Sequence, residues 1–191
     1  MERVTYQEGL FEHLELEEEY EIEGKKKKIT RNIVRRPPGI RALIVNEKEG
    51  KILLSKEYRY ELSAWDYRLP GGKVFDSSAE YKEALKKGNI DDYALQAAHK
   101  EVMEEIGFTI NNPKLIKISK DGASVIWDLY YYEITDYSQN EEGPMLEENE
   151  IISGYTWVSF DDIIDLCISN QIHEERTIGV LLTYILKKKG E

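Results

Sequence analysis

Three carboxylates, Glu101, Glu104 and Glu105, are crowded into the run His99-Lys-Glu-Val-Met-Glu-Glu-Ile-Gly-Phe108. At about 100° per residue on a helix, Glu101 and Glu105 fall side by side at the edge of an apolar stripe. Like charges at i and i+4 destabilise a helix by a few tenths of a kcal/mol, and partial burial raises that cost. The pattern therefore calls for a compensating cation, set against the plainer reading of an acidic face turned to water. Oxygen donors without a cysteine or histidine cluster favour Mg2+, with Mn2+ as a substitute, over zinc. Upstream, Arg68-Leu-Pro-Gly-Gly-Lys73 reads as a tight glycine turn whose exposed carbonyls can complete a metal site.

Holding these residues together requires a helix and a sheet. Asp91 is an expected N-cap, the stretch from Asp92 to Ile106 carries no glycine or proline, and Gly107 suits a left-handed C-cap. Leu95, Ala98, Val102 and Ile106 recur at helical spacing and predict the core-facing stripe. Just ahead, Ser77 and Glu80 form a capping-box pattern for a short helix ending near Gly88. Alternation from Leu14 to Arg36 around Glu23-Gly24-Lys25 predicts a terminal hairpin, whose lysine run Lys25 to Lys28 is a solvated tip. Arg41 to Val45 and Lys51 to Ser55 predict another strand pair. Strands are also expected at Leu115–Ser119, Ser124–Ile134 and Ile151–Val158, with an acidic loop from Asp136 to Glu150. Phe160–Ser169, introduced by Ser159, and Glu174–Lys187 close the chain as amphipathic helices. Mixed strands and helices in this order predict a layered α+β domain with both sheet faces covered.

Taken with Gly72, the run Lys100-Glu-Val-Met-Glu-Glu-Ile-Gly-Phe108 resembles the Nudix box, which runs from a glycine through a glutamate to Arg-Glu, an aliphatic, any residue, Glu-Glu, any residue, Gly and an apolar residue. The resemblance implies a Nudix-type α/β/α sandwich with a mixed sheet and an N-terminal β-hairpin extension. It also implies Glu101 and Glu105 as the main metal ligands, Glu104 as a further ligand or orienting carboxylate, and the Gly71 carbonyl as another ligand. Lys100 stands in the arginine place, Asp92 where the box has glutamate, and about fourteen residues are inserted ahead of the helix, a length a loop can absorb at little entropic cost.

Within that superfamily the chain resembles the ADP-ribose pyrophosphatase and nucleoside diphosphate sugar branch, through the N-terminal hairpin, Glu57-Tyr-Arg59, the late acidic loop and Asn170-Gln-Ile-His-Glu-Glu-Arg-Thr-Ile-Gly179. In such relatives the loop supplies the general base, which makes Glu148 or Glu150 the candidates here. Arg59 is the expected phosphate clamp, because a guanidinium can bind two phosphate oxygens at once, with Arg36 in support. Trp65 is a candidate stacking face for a purine. The expected activity is metal-dependent hydrolysis of a nucleoside diphosphate linked to another group, first ADP-ribose to AMP and ribose 5-phosphate. A nucleoside diphosphate sugar pyrophosphatase and a weakly active nucleotide-sugar sensor are the alternatives. The resemblance further implies a homodimer joined through residues 1–36, with the Nudix domain spanning 37–191 and an insertion at about 76–91.

Composition bounds the rest. The 191 residues suffice for one well-buried domain. A formal net charge of -11 argues against nucleic acid or an anionic membrane as partner and for a small-molecule nucleotide met by local cations. One cysteine, Cys167, allows no intrachain disulfide. With no apolar leader and no long apolar run, the expected location is cytoplasmic.

Overall fold

The structure is a computed structural model that describes residues 1–141, 143–146 and 151–190. Three strands open the chain: β1 (Glu2–Glu8), β2 (Phe11–Ile22) and β3 (Lys25–Arg35). β2 and β3 form the predicted hairpin, turning through Glu23 and Gly24 at φ of 53° and 74°. Two consecutive positive φ values give a turn whose twist matches the flanking strands, and glycine accepts the second at no steric cost. The sequence reading missed β1, which pairs antiparallel with β2 and is exposed along its whole length.

The central layer follows as β4 (Gly39–Asn46), β5 (Lys51–Arg59) and β6 (Ala64–Arg68). Next come α1 (Ser78–Lys87) and the long α2 (Ile90–Ile106), then β7 (Phe108–Asn111), β8 (Lys114–Ser119), β9 (Val125–Ile126), β10 (Leu129–Ile134), β11 (Asp136–Gln139) and β12 (Ile152–Ser159). α3 (Phe160–Ile168) and α4 (Glu175–Lys189) end the chain. The main sheet runs β12-β5-β4-β10-β8 with β6 beside β5; β4 and β10 are parallel and the other pairs antiparallel, so the sheet is mixed.

Period-two alternation along β4 sorts its side chains between two helical layers. Ile40, Ala42 and Ile44 pack with Ala94, Ala98, Val102 and Ile106 of α2. Leu43 and Val45 pack with Ile163 of α3 and Leu181 and Ile185 of α4. This is the expected Nudix-type α/β/α sandwich. None of the described helices is long and apolar enough to cross a membrane.

Ser77 and Ser159 cap α1 and α3 as expected, each accepting a backbone N–H, and Gly88 and Gly107 close α1 and α2 in left-handed conformations. Other local expectations fail. α2 starts two residues early, with Asn89 at the N-cap; Asp91 sits in its first turn and accepts the Tyr130 hydroxyl at 3.1 Å. Leu95 is exposed: the buried stripe keeps the expected Ala98, Val102 and Ile106 but begins with Ala94 and Ala97 in its place. The strand expected from Ser124 to Ile134 breaks into β9, which joins β3 of the N-terminal sheet, and β10, which joins the main sheet. β11, paired with the unforeseen β7, occupies the start of the acidic loop.

The inserted helix α1 faces the N-terminal sheet. Ser78 Oγ donates to the Gly9 carbonyl at 3.0 Å, and Lys82 Nζ donates to Gln7 Oε1 at 3.0 Å and pairs with Glu12. Glu12 is only 2% exposed and accepts Arg35 Nε and Nη2 at 2.9 and 2.7 Å. On its other side α1 buries Tyr81 and Ala84 against Phe75, with Tyr93 of α2 beside them.

Candidate active site

Beyond Arg68 at the end of β6, the chain turns through Pro70, Gly71 and Gly72 and is laid along β4: Ala42 N–H donates to Pro70 O at 2.8 Å and Ile40 N–H to Gly72 O at 2.9 Å. The approach is close enough to require glycine twice. Gly71 has φ of 147°, and a Cβ there would stand 2.3 Å from Ile40 O. A Cβ on Gly72 would stand 2.5 Å from Glu101 Oε2. From the other side, Glu105 Oε2 accepts the Gly71 N–H at 2.9 Å. The turn and the carboxylate helix, separate in sequence, are thus one site, and Glu101, 8% exposed, is seated in the space that Gly72 leaves.

A buried polar network braces the turn from below. Arg41 Nη1 donates to the Ile40 carbonyl at 2.8 Å, beside Gly71, while its Nε and Nη2 donate to the two carboxylate oxygens of Glu174 at 2.8 and 2.7 Å. Burial works against the charge of Glu174, but Arg41 and Arg68 outweigh it and hold its pKa at about 2. Burial likewise opposes the Arg41 cation, which Glu174 and, more weakly, Glu105 favour. Arg68 pairs with the fully buried Asp66 at 2.9 Å, and Asp66 Oδ1 accepts the His173 N–H at 3.0 Å. None of Arg41, Glu174, Asp66 or Arg68 was singled out from sequence. An arginine inside the otherwise apolar run Gly39–Val45 was the available signal, since arginine is seldom buried unless paired.

The remaining predicted residues divide. Glu104 pairs with Lys100, at 3.4 Å. Its backbone is at the site's edge, for Glu104 O accepts the Met145 N–H at 2.7 Å and Gly107 O accepts the Asn140 N–H at 2.7 Å, so the early part of the acidic loop is laced to the end of α2. Glu148 and Glu150 lie outside the described residues. After them, Ile151 O accepts the Tyr58 N–H at 2.9 Å, next to Arg59. Arg59 is engaged by Glu57 and Glu61, both at 2.7 Å. Trp65 is 42% exposed and meets Tyr58 edge to face. Arg36 is stacked over Trp127, 4.3 Å from the ring centre, and Arg176 is also over that ring at 4.2 Å; Trp127 and Arg176 were not anticipated. Asp92 is exposed, and Lys100 turns to Glu104.

Among the described residues no three acidic, histidine or cysteine side chains converge as a closed metal cage. What converges is Glu101 and Glu105 on a glycine turn, an all-oxygen donor set, and this fits a hard divalent cation that keeps part of its coordination for water and phosphate.

The NUDIX domain profile matches residues 35–177. The chain is 30% identical over 170 residues to the ADP-ribose pyrophosphatase of Bacillus subtilis (strain 168), covering 86% of this chain and 80% of that protein. Its fold is similar to that of a crystallised ADP compounds hydrolase, with a TM-score of 0.64 at 16% identity over 100% of this chain and 94% of the other. It is also similar in fold to a MutT structure from work on Aliivibrio salmonicida and Vibrio cholerae, with a TM-score of 0.53 at 20% identity over 80% and 98% of the two chains. With the box glycine, the carboxylate helix and the sandwich in place, the chain belongs to the Nudix family of hydrolases, on the side of its ADP-ribose pyrophosphatase branch.

Proposed function

We propose that this hydrolase cleaves the diphosphate of a nucleoside diphosphate joined to a second group, with ADP-ribose, giving AMP and ribose 5-phosphate, as the leading substrate. The observation that carries the reading is the seating of Glu101 and Glu105 on the Gly71–Gly72 turn. Hydrolases of this family generally need a divalent metal; here Glu101, Glu105 and the Gly71 carbonyl would hold Mg2+, or Mn2+ in its place. When bound, the ion neutralises phosphoryl oxygens and acidifies water. Glu148 or Glu150 takes the proton from the attacking water, and the diphosphate P–O bond breaks with the electron pair leaving on the departing phosphate. The anchoring of the loop's described flanks at Glu104 and Tyr58 supports that role. Glu104 orients the loop and the ligand carboxylates, while Arg59 and Arg36 meet phosphate and Trp65 offers a face to the base.

Nucleoside diphosphate sugars would be served by the same residues and form the second substrate class. The exposure of Asp92 and the turning of Lys100 toward Glu104 favour, as a second reading, a weakly active nucleotide-sugar sensor. The exposed β1, with Val4 and Tyr6 open to solvent, supports a homodimer through residues 1–36, ahead of a catalytic domain at 37–191 in a cytoplasmic enzyme. The test is release of AMP from ADP-ribose, beside a panel of nucleoside diphosphate sugars, with Mg2+, Mn2+ or chelator. Metal-dependent release supports the enzyme; binding without turnover across the panel would replace it by the sensor.

A further inference from the structure

On the reading of this chain as a diphosphate hydrolase, we infer that Arg36 and Arg176, mounted on Trp127, form an anion subsite beside the glycine turn that takes a phosphoryl group of the substrate. The place is set by Gly39. A Cβ there would stand 2.9 Å from Gly72 O and 3.8 Å from Trp127 Nε1, so the indole and the metal-binding turn flank the same residue. Arg176 reaches Trp127 from α4 and is fixed twice, with its guanidinium over the ring and Nη1 donating to the Trp127 carbonyl at 2.7 Å. Arg36 reaches it from the end of β3, its guanidinium 4.3 Å from the ring centre and 5.5 Å from that of Phe11.

Charge balance points to the ligand. Arg36 is close enough to Arg41 and Arg176 to feel their charge, and burial followed by those two neighbours pulls its pKa below the usual arginine range. Arg41 is neutralised by Glu174, whereas no carboxylate pairs with Arg36 among the described residues. Arg36 Nε and Trp127 Nε1 are also buried donors without an acceptor among the described residues. A cluster of cations with unmet donors is costly to maintain in a protein of net charge -11 unless an anion with many acceptor oxygens completes it. Stacking on an indole uses the face of a guanidinium and keeps the in-plane N–H edge for phosphate oxygens. Arg59, in contrast, already has two carboxylate partners, so the subsite adds phosphate contacts from the end of β3 and from α4 to that of Arg59.

The test separates binding from turnover. With chelator present, inorganic pyrophosphate is titrated against the whole protein, following thermal shift and tryptophan fluorescence, with Trp127→Phe to identify the indole signal. Pyrophosphate is expected to raise the melting temperature and perturb Trp127, and Arg36→Gln and Arg176→Gln each to weaken binding about tenfold or more, the loss of one charge-assisted contact. Glu105→Gln is expected to bind pyrophosphate as the wild type does although its turnover is lost, so failure of the hydrolase reading and failure of the subsite are distinguishable. Arg176→Lys, which retains the cation, guards against misfolding by recovering part of the affinity. Pyrophosphate binding unchanged in both glutamine variants, or perturbation of Trp127 by adenosine in place of pyrophosphate, would overturn the subsite.

Discussion

Replacing Gly72 by alanine tests whether the Glu101 carboxylate must be where it is. The new methyl would stand 2.5 Å from Oε2 and 2.6 Å from Oε1 and Cδ, whereas ordinary contact begins at 3.4 Å, so the carboxylate must retreat by about 0.9 Å. The obstacle is the far end of a flexible side chain, and Gly72 has no left-handed φ. Moving the carboxylate off its rotamer costs roughly 1 kcal/mol, a fall in melting temperature of about 2–4 °C for a chain of this size. A misplacement of about 1 Å at a reacting centre costs on the order of a hundredfold in rate. Gly72→Ala is therefore expected to stay folded and lose about two orders of magnitude in kcat. Gly71→Ala is the control: its methyl would meet the Ile40 carbonyl, held in β4, at 2.3 Å, and φ of 147° disfavours any side chain, so this variant loses stability first. The assay is metal-dependent AMP release from ADP-ribose beside thermal melts. Turnover of Gly72→Ala within threefold of wild type, in a folded protein, would refute the placing of Glu101 at the centre of the chemistry.

Glu105→Gln removes a ligand charge with little change of shape, so turnover should fall by about a hundredfold or more while the melting temperature barely moves, as initial rates and calorimetry would report. Glu174, normally near 4.5, is depressed to about 2, so its stabilisation is present above 4.5 and is lost as pH falls toward 2; this amounts to about 3 kcal/mol in urea melts taken across that window. Glu174→Gln should abolish that acid sensitivity and, by leaving Arg41 buried without its partner, lower stability at neutral pH by about 3–5 kcal/mol. Lys82→Met should speed hydrogen exchange in β1 and β2 while leaving α2 protected, since it cuts the inserted helix from Glu12 without touching the Nudix box; equal protection of β1 and β2 in both proteins would remove the clamp.

The parts of the fold legible from sequence were those with a local physical signature. Ser77 and Ser159, Gly88 and Gly107, and the Glu23–Gly24 turn declare themselves because capping and positive φ demand particular residues. The glycine turn and carboxylate helix were readable as chemistry, yet their meeting depends on β4 running beneath both. What stayed hidden was non-local. Arg41 and Glu174 are joined by the fold alone, Trp127 acquires two arginines from β3 and α4, and β1 has no buried face to leave a pattern. Leu95 deceived for the opposite reason: small alanines give the close helix–sheet contact and leave the larger residue outside.

The lock between α1 and the N-terminal sheet bears on how parts of this chain can be exchanged. Glu12 is buried between Arg35 of its own sheet and Lys82 of the insertion, so neither segment carries a self-sufficient set of charges. A chimera that imports the first 36 residues without residues 76–91 would leave Glu12 with Arg35 alone, and the reverse would leave Lys82 without its carboxylate. For recombination the two stretches behave as one cassette that happens to be encoded in two places, with the glycine turn threaded between them.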